Sequence, residues 1–425
     1  AQACLVIAPA RNRILSGAEP KAADSFDRSA PLERTLSLVP ELCRRFGITR
    51  IGETTHLDRI GIPTMCAIVP NSADVLSVYN GKGTSREAAA ASAVMEAVER
   101  QIGAAPAIEV HTRSVEELGR SLDLDALGLV DEARDRQARC ALGVDLFTGE
   151  PVSVPLALVV CPWRGERLLP TTHTNGLASG NTYAEAVYHA LAELIERHVW
   201  SMYHVRSALV PRFYGGPNVS DEMYAELLEL PCGSDAIDGL AGRVAGAGLS
   251  LRVMILRERG FPIVALSTIV ERYSDPPMAH IGAGCSLTAE HAIVRSITEA
   301  VQSRVTDIQG ARDVLLRPGD PLLDGHAGTR RPNAMPQNRW TLDLRAPSVR
   351  LSELDDSGTR DVMADVRCLL QMLANAGVGR VVAVELTRPD DSICVTRVVA
   401  TGLETTITDG RIGPHALTLF NPFSF

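Results

Sequence analysis

Three stretches of this chain share one design. Each carries paired glycines (Gly81 and Gly83, Gly176 and Gly180, Gly282 and Gly284), then a hydroxyl residue (Ser85, Thr182, Thr288), then a glutamate eleven positions later (Glu96, Glu193, Glu299). The glutamates lie 97 and 106 residues apart, and three positions after each stands another oxygen-bearing side chain, Glu99, Glu196 or Gln302. A hydroxyl N-cap opens a helix, and offsets of three and four share one helical face, so Ser92, Glu96 and Glu99 rise together. Acids so placed repel unless a cation compensates them. Taken singly, such a helix reads as amphipathic with its acids in water and Glu96 paired to Arg100. Solvated faces do not need the same polar residues at the same offsets three times over, so the repeat predicts one interleaved body in which three helices converge.

Convergence would gather five carboxylates, Glu96, Glu99, Glu193, Glu196 and Glu299, with the Gln302 amide around a shared centre. Hard oxygen donors in that number suit Mg2+, which is usually held partly by substrate phosphates. Arg100, Arg197 and Arg304 would then hold phosphate oxygens. The pattern points to a nucleoside triphosphate bound through metal ions. GKGT at 81–84 is not a Walker A loop, because Leu76 stands where that pattern needs glycine. Lys82 is therefore left between a phosphate contact and a solvated charge. GLASG and GAGCSL lack the dinucleotide spacing, and their glycines read as permitting positive φ before a cap.

Composition narrows the class. The 425 residues are 45% hydrophobic and 4% aromatic, with mean hydropathy +0.06. No run of eighteen apolar residues, secretory signal or lipidation motif is visible, so a cytoplasmic location with no membrane contact is expected. The net charge of −9 argues against nucleic-acid partners. Nine scattered cysteines without a CxxC pair oppose a disulfide framework and a zinc knuckle; none is assigned to catalysis.

Taken in order, residues 1–30 read as an N-terminal arm, mobile or partly ordered, and 31–425 as a single α/β domain of mixed sheets. A helix from Pro31 should close at Gly47, followed by strands through Ile51, TMCAIVP and DVLSVYN. VPLALVVCP reads as a buried strand, MYAELLEL and IDGLAGRVAGAG as helices, and LRVMILRE and PIVALSTIVE as strands. The Pro- and Gly-rich stretch at about 313–360 reads as an insert, a lid or a partner-binding loop. DVMADVRCLLQMLANAG then reads as a helix ended by Gly377, with RVVAVEL and ICVTRVVA as strands. Glu185, three after Thr182, suits a capping box. His173, His189, His198 and His204 lack ligand spacing and read as packed or surface residues. Phe420, Phe423 and Phe425 could dock on the body or enter a cleft.

At these residues the sequence resembles the YcaO family over about Asp27 to Ala400. Ser92, Glu96, Glu99 and Arg100 resemble its SxxxExxER; Glu193, Glu196 and Arg197 its ExxER; Glu299, Gln302 and Arg304 its ExxQxR. The resemblance implies a fold built from the three units around one site for ATP and Mg2+, and phosphorylation of a backbone amide of a peptide or protein. It also implies that Asn181 and Glu185 support nucleotide and metal, that Arg28 and Thr35 contact phosphates or nucleotide, and that Arg295 lies near the γ-phosphate. ITRIGETTHLDRIGIPTMCAIVPN is similar to the branch found with a TfuA-type partner, which implies thioamide formation with that partner supplying or delivering sulfur. Azoline-forming members typically end in PxPxP, whereas this chain ends FNPFSF. The expected metal ligands are thus Glu96, Glu99, Glu193, Glu196 and Glu299, with Arg197, Arg295 and Arg304 acting on phosphate. Azoline-forming cyclodehydration is the alternative, a non-catalytic ATP-binding scaffold the second and a metal protein without nucleotide the third; a homodimer is possible.

Overall fold

The computed structural model describes residues 17–169, 172–210, 223–271, 278–310, 340–343 and 345–420. Its strands form three sheets. The first holds β1 (Arg50–Glu53), β2 (Thr64–Ile68) and β3 (Val78–Lys82), all antiparallel. The second, in the order β11-β10-β9-β8-β12, joins β8 (Met223–Leu228), β9 (Ser250–Glu258), β10 (Val264–Glu271), β11 (Met278–Cys285) and β12 (Ser348–Val349). The third runs β4-β5-β13-β14-β7, with β6 also on β5; these are His111–Ser114, Gln137–Asp145, Val381–Glu385, Cys394–Ala400, Leu177–Gly180 and, for β6, Pro151–Pro155.

Three of these strands end their sheets and lead into the three expected helices. β3 leads to α2 (Arg86–Ala104), β7 to α5 (Tyr183–His204) and β11 to α7 (Ala289–Gln309). The paired glycines make this packing possible. A Cβ on Gly81 would lie 2.2 Å from the Ala89 carbonyl and the Ala93 nitrogen, and one on Gly282 would lie 2.1 Å from the Ala300 nitrogen. Helix backbone therefore rests directly on strand backbone. The expected positive φ is found only at Gly176 (φ 81°) among the six; the others serve close approach. Ser85 and Thr182 cap as expected, accepting from the Ala88 and Glu185 amides. Thr288 occupies the third cap position without a side-chain bond, and Asp356 accepts from the Ala289 amide instead (2.6 Å).

Each acid-faced helix has an apolar underside. Ala93, Ala97 and Val98 of α2, Leu191 and Ile195 of α5, and Ile293, Ile297 and Val301 of α7 are buried, distributed over three hydrophobic clusters. The opposite faces are left to one cavity.

Other elements depart from the sequence reading. MYAELL forms strand β8, not a helix, because pairing with β9 and β12 overrides the helical preference of Met, Ala, Glu and Leu. VPLALVVCP is split between β6 and a short helix, α4 (Leu156–Val159). Of the expected insert, 311–339 lie outside the described residues, whereas Ser348 and Val349 pair parallel to β8 within the body. Of the arm, 1–16 lie outside the described residues, whereas 17–30 are held in place. Pro20 bridges Asp361, Lys21 donates its amide to Arg360 (2.9 Å), and Lys21 Nζ lies 2.5 Å from Asp365, both side chains being buried. Asp361 N-caps α9 (Val362–Asn375), and Gly377 follows this helix at φ 81°. Phe420 packs against the largest core cluster; Phe423 and Phe425 lie outside the described residues. The eight described cysteines are free. No described helix is long and apolar enough to cross a membrane.

Candidate active site

The faces of α2, α5 and α7 line one cavity of about 1320 Å³, closed on another side by residues 22–35. Glu96, Glu99, Glu193, Glu196 and Glu299 all line it. Among the described residues no three carboxylate, imidazole or thiol groups form a ready-made metal cage.

Crowding and burial set the charge of these acids. Burial pushes Glu193 up to about 7, with Arg197 opposing and Glu196 reinforcing the shift. Burial, followed by Glu96 and Glu193, holds Glu99 well above the ordinary carboxylate range. Glu196 is raised by burial against the pull of Arg197, which lies 3.6 Å from it and 3.9 Å from Glu193. Glu299 goes the other way. Burial would raise it, but the ion pair with Lys82 and the nearby Arg197 outweigh that and lower it.

The remaining expected residues separate into three groups. Arg28, Thr35, Ser92, Asn181, Arg197, Arg295 and Gln302 line the cavity. Asn181 Nδ2 donates to Thr35 (3.0 Å), the Ser92 hydroxyl accepts the Lys82 amide (3.3 Å), and Gln302 donates to the Asn80 carbonyl (2.9 Å). Arg295 is distinctive, because its Nη2 lies 3.4 Å from His189 while its buried Nε has no partner among the described residues. Arg100 also lines the cavity, but it pairs with Asp74 at 2.7 Å rather than with Glu96.

Glu185 and Arg304 stand apart. Glu185 accepts from the Ser29 and Ala30 amides (2.8 and 3.0 Å) and from the Asn181 amide (2.8 Å), so it anchors the arm and does not line the cavity. Arg304 is buried between Asp58 (3.0 Å) and Glu271 (2.8 Å), also outside the lining.

Sequence reasoning missed Asp27, His189 and His291, which line the same cavity. Burial and then Arg295 keep the His189 imidazole well below its ordinary range, and burial, opposed by Asp27, lowers His291 to about 4. No fixed spacing marks these residues. Only their distance along the chain from a glycine loop or a helix cap could have drawn notice to His189 and His291.

The family model for YcaO cyclodehydratase, ATP- and Mg2+-binding, matches residues 80–404. The chain belongs to the YcaO family. As a YcaO protein it is an ATP-dependent amide-activating enzyme, with ATP and Mg2+ as its ligands. It is 34% identical over 390 residues to an uncharacterized protein of Methanothermobacter thermautotrophicus, covering 89% of this chain and 96% of that one. It is 32% identical over 401 residues to an uncharacterized protein of the tfuA 3' region in Rhizobium leguminosarum bv. trifolii, covering 91% and 90%. The YcaO of Methanopyrus kandleri bound with AMPPCP and Mg2+ has the same fold, with TM-score 0.68 at 24% identity over 93% of this chain and 98% of that one.

The donor set of this YcaO chain fits magnesium. Burial, reinforced by neighbouring carboxylates, holds Glu99 and Glu193 toward their protonated forms, and a divalent cation with phosphate oxygens would favour their charged forms and relieve the repulsion.

Proposed function

We propose that this YcaO chain phosphorylates a backbone amide oxygen of a peptide or protein and that a sulfur nucleophile then displaces the phosphate, leaving a thioamide, ADP and phosphate. An amide carbonyl is a poor electrophile with a poor leaving oxygen. Transfer of the γ-phosphoryl group to that oxygen makes it leave as phosphate, and attack of sulfide at the same carbon places the C=S bond. The observation carrying this reading is the meeting of five glutamates with Arg295, whose buried Nε has no partner among the described residues, in one cavity.

Glu96, Glu99, Glu193, Glu196 and Glu299 would hold magnesium, directly or through water. Magnesium there supplies charge neutralisation and orientation for the transferring phosphoryl group. Arg197 and Arg295 clamp phosphate oxygens as negative charge shifts toward the leaving ADP. Lys82 is positioned to join them by exchanging Glu299 for a phosphate oxygen. Arg28, Thr35, Ser92, Asn181 and Gln302 line the nucleotide's surroundings. Arg304 and Glu185 support the helices and the arm rather than the nucleotide.

Sulfur enters the reading through the relative from the tfuA 3' region and the similar segment at 48–71; a TfuA-type partner would deliver it. The test incubates the purified chain with ATP, Mg2+, sulfide and a candidate peptide, and reads peptide mass and nucleotide products. Oxygen replaced by sulfur with ADP release supports the proposal. Loss of one water marks azoline formation, and AMP with pyrophosphate marks adenylation; either overturns it. Glu96→Gln should abolish product formation; product made by a partner despite that change would indicate a scaffold.

A further inference from the structure

The cavity extends well beyond the glutamates. One face of α7 lines it from Glu290 and His291 to Thr306 and Asp307, about 25 Å of helix at ~1.5 Å per residue. Its two ends differ in dipole. Toward the N-terminus, Arg295 and Arg28 face the cavity beside Glu290 and Asp27, and the helix dipole favours anions. Toward the C-terminus stands Asp307, in the last turn before Gly310, where the dipole disfavours an acid.

Asp307 is held there by a partner. Its Oδ2 lies 3.2 Å from Nε2 of His280 on β11. His280 is 3% exposed and its Nδ1 has no partner among the described residues, while 23% of the Asp307 side chain remains exposed. The nearby cations are engaged elsewhere, Arg304 by Asp58 and Glu271 and Lys82 by Glu299. Among the described residues no Lys or Arg pairs with Asp307. The wall beside it is fixed, because Asn80 donates to Thr306 (3.0 Å) and Gln302 donates to Asn80 (2.9 Å). Asp307 is thus a carboxylate set against its own helix dipole and facing the cavity, paired among the described residues only with an imidazole.

We propose that this end of the cavity receives the peptide substrate and that Asp307, positioned by His280, binds a lysine or arginine side chain of that peptide. The proposal rests on the ATP-site reading above. Asp307 lies eight residues beyond Glu299, about 12 Å along the helix, and an extended peptide advances about 3.4 Å per residue. The basic residue therefore falls within about four positions of the amide that is modified.

The test uses the full chain with Mg2+ and a non-hydrolysable ATP analogue. Two labelled glycine-rich peptides, one with a lysine and one with a glutamate a few residues from the centre, are compared by fluorescence anisotropy. The lysine peptide should bind about tenfold more tightly. Asp307→Asn should remove that preference, Asp307→Lys should invert it, and His280→Gln should weaken it, all without changing affinity for the nucleotide analogue. Asp307→Ser serves as the second neutral variant should the asparagine chain not fold. Equal affinity of the unaltered chain for both peptides, including none measurable for either, or a preference that survives both neutral variants, overturns the proposal. Failure of the unaltered chain to bind the nucleotide analogue would instead overturn the ATP-site reading, so the two failures are separable.

Discussion

At the scale of single residues, proton occupancy and function are linked through Glu193. Its folded pKa of about 7 lies above the ordinary 4.5, so the folded state holds a proton more tightly than the unfolded one. Its contribution is complete below pH 4.5 and is lost as pH rises through about 7. Without metal, the melting temperature should therefore fall across that interval, and Glu193→Gln should flatten the fall. Magnesium competes with the same proton, so its apparent affinity by calorimetry should rise up to about pH 7 and then level. Arg295→Met should keep the fold and lower the rate of ADP release about a hundredfold, the usual cost of removing one preorganised charge donor; an unchanged rate would remove Arg295 from the mechanism. The five glutamates were legible because they recur at fixed offsets. The Lys82–Glu299 pair and the Arg295–His189 contact were not, since each joins side chains brought together only by the folded chain.

At the scale of elements, the glycines decide whether the acid faces can meet. Gly282→Ala forces a methyl group to within 2.1 Å of the Ala300 nitrogen and 2.3 Å of the Ser296 carbonyl. Separation of β11 from α7 should cost at least about 2 kcal/mol of stability, as overpacking against rigid backbone does, and should weaken nucleotide binding. Thermal melting and calorimetry check this; a fully stable variant would show that the contact can relax. The helices were readable from caps and periodicity, and so were most buried strands. β8 was not, because its residues favour a helix and only its neighbours β9 and β12 make it a strand. Thr288 likewise marks its helix start correctly, yet the capping bond comes from Asp356, far along the chain.

At the scale of the molecule, the three acid-faced helices share a cavity that the arm also walls. That wall depends on the buried Lys21–Asp365 pair. Lys21→Ala should destabilise by about 3 kcal/mol, because it strands a buried carboxylate, and should expose residues 17–31 to protease; unchanged cleavage would show that the arm is held without it. The mixed α/β fold was legible in the sequence, whereas the contacts that hold 17–30 were not, since the residues that make them are distributed over Glu185 and 360–365. This last arrangement bears on biosynthesis. Lys21 is synthesised 344 residues before its anchor Asp365. A nascent polypeptide that has not yet reached 360–365 therefore lacks the finished pocket, and its ATP turnover is withheld until those anchors are made.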